Sequence, residues 1–153
     1  MRVPAAAVLL PLCVLACGGS GGAGSAPAAN STPTAKPIVM TMDAVAASGA
    51  QGSAEVVRRG GSFDLTLKLK GLAPNSIHVA HIHKGACQKS GAITFALQPV
   101  VAGPNGEANV RTTVPTQYAP PPEGWYANVH NGPDLTTPAN AAAISCGDLT
   151  AAA

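Results

Sequence analysis

The chain has 153 residues, 46% hydrophobic but only 3% aromatic and 10% charged, with 17 Gly and 14 Pro. That suffices for one small domain with a core drawn mostly from Ala, Val and Leu. Nine Lys or Arg stand against seven Asp or Glu, and the basic residues are scattered without aromatic platforms between them, which argues against nucleic-acid binding. At the start, Met1-Arg2 leads into an apolar run from Val3 to Ala16. The run is shorter than the roughly 20 residues a spanning helix needs, so residues 1–16 read as a signal peptide.

The run ends in Val14-Leu15-Ala16-Cys17, which resembles the bacterial lipobox. That resemblance implies lipidation of Cys17 and an exported protein anchored to the cell envelope, with the membrane as a partner through the lipid. After Cys17 the chain up to Lys36 reads GGSGGAGSAPAANSTPTAK, nearly all Gly, Ala, Ser, Pro and Thr with no apolar period. Such a composition cannot bury enough surface to offset its ordering entropy and suits a flexible tether. Of four Cys, Cys13 leaves with the signal peptide and Cys17 carries lipid, which leaves Cys87 and Cys146. In an oxidising compartment these two are expected to pair.

Residues 37–153 form the domain, and their pattern has period two. Ser62 to Lys70 alternates without a break, with Phe63, Leu65, Leu67 and Leu69 on one face, as in an antiparallel strand with one wet face. Arg59-Gly60-Gly61 is a turn signal, and Ala54–Val57 before it is a hairpin partner. Further strands are predicted at Ile38–Val45, Ile77–His83, Leu97–Val101, Ala108–Val114, Trp125–His130 and Ala142–Leu149. Tyr118 to Gly124, with three consecutive prolines, must be a loop. Seven or eight short strands and no sustained helical period predict an all-β Greek-key sandwich or flattened barrel.

The four histidines lie in two of these strands, His78, His81 and His83 in IHVAHIH and His130 in WYANVHNG. Residues two apart on a strand share a face, so His81 and His83 point the same way, with Cα atoms about 6.5–7 Å apart, and can reach one ion. His78 has the opposite parity, which leaves His130 as the third candidate ligand. Neutral imidazoles suit copper, zinc, iron or nickel, and residue chemistry alone does not choose among them. No G-x-S-x-G elbow, close carboxylate pair or phosphate-binding loop is present.

Gly71-Leu72, then His78, His81 and His83, then Cys87, and later Val129-His130 and the stretch Asn140 to Gly147 with Cys146 resemble the copper–zinc superoxide dismutase pattern. Trp125 to His130 and the A-H-I-H stretch are equally similar to the CHRD (chordin-repeat) domain. The resemblance covers roughly residues 50–149 and implies a superoxide dismutase-like fold. By the same resemblance His81, His83 and His130 are copper ligands, His78 is a structural histidine bonded to backbone, and Cys87–Cys146 is the disulfide.

The departures from that pattern bear on function. Between Lys84 and Val129 there is no histidine, so the dismutase-type zinc site and the bridging ligand have no residues to build them. Ala143 stands where the dismutases carry an arginine that attracts superoxide, which leaves Lys84, Lys89 or Arg111 for any steering. The expectation is a copper-binding envelope lipoprotein with at most weak superoxide dismutase-like activity. The alternative is a non-metal CHRD-like structural or binding module.

Overall fold

The computed structural model describes residues 36–150. The signal peptide, Cys17 and all of the tether but Lys36 therefore lie outside the described residues. Within them are ten strands and one short helix: β1 Ile38–Ala44, β2 Gln51–Arg58, β3 Phe63–Lys70, β4 Ile77–His78, β5 Ala80–Lys84, β6 Ile93–Ala96, β7 Val100–Val101, β8 Ala108–Val114, β9 Trp125–His130, α1 Pro138–Ala141 and β10 Ala143–Leu149. Every strand pairing is antiparallel. Eight strands form one sheet in the order β6-β5-β9-β10-β1-β2-β3-β8, and β4 and β7 form a separate ribbon. The Gln98 amide donates to Thr112 Oγ1 of β8 at 2.8 Å, and the Leu97 amide donates to the Ala80 carbonyl of β5. One connecting segment thus ties both ends of the sheet together, and the sheet is nearly closed into a barrel.

The unbroken alternation of β3 explains its place at the centre of the core. Phe63, Leu65, Leu67 and Leu69 are buried, with Val56 and Ala54 beside them on β2 and Met42, Ile82, Val129 and Leu149 across the interior. Phe63 stacks against Trp125 and meets Tyr118 edge-on, and Phe95 meets Trp125 edge-on, so four of the five aromatics pack together. The outer face of β3 is not uniformly wet. Asp64 is buried there beneath Arg59 and Arg111 and accepts from Thr113 Oγ1 at 2.6 Å. Burial opposes its ionisation, but hydrogen bonds from Arg111, Thr113 and Arg59 outweigh that cost and bring its pKa down to about 2.

The strand expected over Ile77–His83 is two strands in different sheets. The break falls at Val79, whose amide donates to the Gly132 carbonyl while its own carbonyl accepts from the His130 amide. The strand expected over Leu97–Val101 shortens to β7, because Pro99 has no amide to give a ladder. In its place β6 forms just upstream as an edge strand, too exposed to show an apolar alternation. Helix α1 is capped by the Thr137 hydroxyl, which accepts from the Asn140 amide at 3.1 Å. Four residues are too few to carry a helical period.

Candidate metal centre

Strand β9 is buried along its whole length, which requires both of its faces to be covered. Trp125, Ala127 and Val129 enter the barrel core, while Tyr126, Asn128 and His130 face outward, beneath the segments that follow β5 and β9. In the β5–β9 register His81 stands opposite Asn128 and His83 opposite Tyr126, so both histidines share that outer face. The ring centroids of His81, His83 and His130 are 5.3–5.9 Å apart. One ligand atom from each lies within 4.8 Å of the others, the only such group of His, Cys, Asp or Glu among the described residues.

Hydrogen bonds fix which nitrogen His83 and His130 offer. His83 Nδ1 lies 2.9 Å from the Gly91 carbonyl and His130 Nδ1 lies 2.7 Å from the Ala141 carbonyl. A carbonyl only accepts, so both Nδ1 atoms carry hydrogen and both Nε2 atoms keep a lone pair. His83 Nε2 and His81 Nδ1 are buried with no hydrogen-bond partner. The proton affinity of His81 is lowered by burial and then by the neighbouring His130 and His83, which keeps its lone pair free. Two buried ring nitrogens without partners, His81 Nδ1 and His83 Nε2, and a third ring whose Nε2 keeps its lone pair fit a metal bound by neutral imidazoles.

Of the support around the rings, the Cys87–Cys146 pair was visible in the sequence, while the contacts of Gly91 and Tyr126 were not. Gly91 approaches β5 so closely that a Cβ there would stand 1.9 Å from the Lys84 carbonyl oxygen, and this contact aims the Gly91 carbonyl at His83. Tyr126 stacks on the His83 ring at 4.9 Å and accepts the Gly91 amide on its hydroxyl. The segment carrying Gly91 is tied to β10 by a disulfide between Cys87 and Cys146 and by the Cys87 amide, which donates to Asp148 Oδ1. His78 sits outside the triad. Its Nδ1 lies 3.0 and 2.9 Å from the carbonyls of His130 and Asn131, and its Nε2 lies 2.7 Å from Ser76 Oγ. Ala143 is the register partner of His130, so a methyl group occupies that flank. Arg111 and Lys84 are engaged by Asp64 and Glu123.

The family model of the CHRD domain matches residues 35–133. The chain belongs to the CHRD domain family. The match includes all three clustered histidines and Cys87, while Cys146 and Ala141, which fasten the site from the other side, lie beyond it. No curated protein matches the sequence. Among solved structures, this CHRD domain is similar to a SOD-like protein from Bacillus subtilis, with a TM-score of 0.57 at 14% identity over 73% of this chain and 97% of that one. It is also similar to a double mutant of a SOD-like protein from Bacillus subtilis, with a TM-score of 0.55 at 17% identity over 74% and 97% of the two chains. At such identities the likeness is one of fold, and the CHRD domain here has the SOD-like barrel.

Proposed function

We propose that this CHRD domain holds one copper ion through His81 Nδ1, His83 Nε2 and His130 Nε2, in a lipoprotein anchored to the cell envelope. The observation that carries the reading is the pair of buried, unpartnered imidazole nitrogens beside a third ring in matching tautomer. Leaving such atoms unpaired costs on the order of 1–3 kcal/mol each, a cost that ligation offsets. Copper is favoured over other divalent ions because three imidazoles follow the Irving–Williams order, which peaks at Cu(II).

Bound copper supplies one-electron chemistry. The protein's own part is to orient the rings through the carbonyls of Gly91 and Ala141, to keep His81 neutral, and to shield the site on the Tyr126 side. Its surroundings offer an anion little steering. Ala143 offers no charge beside His130, Arg111 and Lys84 are paired with carboxylates, and of the three candidate cations only the exposed Lys89, between Cys87 and Gly91, is in no salt bridge among the described residues. A role in holding or buffering the ion, with superoxide consumption far below that of an efficient dismutase, follows from that arrangement.

Loading the metal-free protein with Cu(II), then with Zn(II) in a separate sample, and measuring bound metal by elemental analysis is expected to give one copper per chain with nitrogen coordination in its spectrum. A protein that leaves the column without copper would remove the metal reading and leave a CHRD module whose histidines only pack. For the anchor, the native protein is expected to partition with membranes and Cys17→Ser to lose that behaviour or stall in processing. Full-length protein found soluble in the cytoplasm would overturn it.

A further inference from the structure

Asn128 is the one polar side chain on the ligand face that the three-histidine reading leaves unexplained. It is 7% exposed, stands directly across from His81, and shares the outer face of β9 with His130. Its Oδ1 is buried with no hydrogen-bond partner, while its Nδ2 lies 3.5 Å from His130 Nε2, the atom that offers a lone pair to the ion. A long N–H···N contact is a weak return for burying a whole carboxamide on a strand where neighbouring positions are apolar or aromatic.

We propose that the side-chain oxygen of Asn128 is the fourth ligand of the metal held by His81, His83 and His130. The inference rests on the copper reading above. Once His130 Nε2 gives its lone pair to a cation, the Asn128 amide loses its acceptor and would present N–H hydrogens toward positive charge. A half-turn about χ2, a broad and soft torsion in Asn, exchanges the two amide atoms. Oδ1 then occupies the position beside His130 Nε2 and gains an ion, while Nδ2 takes the place that Oδ1 leaves. Two donors bonded to one ion at about 2 Å, at angles between a right angle and tetrahedral, stand about 2.9–3.4 Å apart, close to the 3.5 Å separation seen here. Carbonyl oxygen is a harder donor than imidazole, so the resulting set of three nitrogens and one oxygen favours Cu(II) over Cu(I).

The test uses the full chain loaded with Cu(II) as wild type, Asn128→Leu and Asn128→Asp, followed by competition titration and continuous-wave and pulsed electron paramagnetic resonance. Asn128→Leu fills the space without a donor, and Asn128→Asp supplies an anionic oxygen. Expected are three imidazole couplings in all three proteins, a Cu(II) affinity reduced at least about tenfold in Asn128→Leu and raised in Asn128→Asp, and a shifted parallel hyperfine splitting in both variants. If Asn128→Leu fails to fold, the Asn128→Asp arm decides alone. Three imidazole couplings with unchanged affinity and splitting in the variants would overturn the oxygen ligand and leave the three-histidine site standing. Wild-type protein without imidazole couplings would overturn both.

Discussion

His81→Ala is expected to lower Cu(II) affinity by more than about 100-fold, since it removes a whole ligand where loss of a supporting hydrogen bond alone typically costs 10–100-fold. It is also expected to cost the metal-free protein little stability, because the ring removed makes no hydrogen bond, its buried Nδ1 included, and gives up only edge-on contacts with His83 and His130. His78→Ala should do the reverse, retaining copper while losing the bond that fastens the carbonyls of His130 and Asn131. Affinity by competition and stability by urea denaturation, measured on both variants, separate ligand from strut. Unchanged copper binding in His81→Ala would end the metal reading.

The pH dependence has a definite sign. Ligation needs neutral imidazoles, so affinity is expected to fall as pH drops, with most of the loss below about pH 6. Metal-free stability follows from the lowered His81 pKa, whose ordinary value is 6.5. The unfolded chain takes up the proton first as pH falls. The His81 contribution is therefore fully present above 6.5 and is lost as pH falls through the lowered folded-state value. In His81→Ala that part of the acid sensitivity should disappear.

Breaking the Cys87–Cys146 bond, by reduction or by Cys87→Ser with Cys146→Ser, is expected to lower stability by about 4 kcal/mol for a sequence separation of 59 residues. In a domain of this size that corresponds to a drop in melting temperature of more than about 15 °C. A second effect is expected at the site. The bridge holds the segment that carries Gly91, whose carbonyl orients His83, so Cu(II) affinity should fall about tenfold or more at temperatures where the domain stays folded. An unchanged melting temperature after reduction would mean that the bond constrains nothing the fold does not already fix. An unchanged affinity would show that Tyr126 stacking alone orients the ring.

Much of the barrel was legible because strand burial writes itself as a period of two. Phe63, Leu65, Leu67 and Leu69 could face only one way, and His81 with His83 had to share a face whatever their partners were. The Cys pair was legible by elimination. The splitting of the expected Ile77–His83 strand was not, because Val79 is diverted by carbonyl and amide groups of residues 130 and 132, more than fifty positions away and silent in any local pattern.

The sequence by itself determined that two histidines point together, that His78 does not join them, and that one further histidine is available. Only the tertiary structure decided that His130 meets the pair and which nitrogen His83 and His130 present. Those choices depend on backbone carbonyls at Gly91 and Ala141, and every residue carries a carbonyl, so nothing in the identity of Ala141 marks it. The same holds for Asn128. Its parity with His130 was readable, but an unpartnered oxygen is a property of surroundings, and these exist only once β5, β9 and the covering segments are packed.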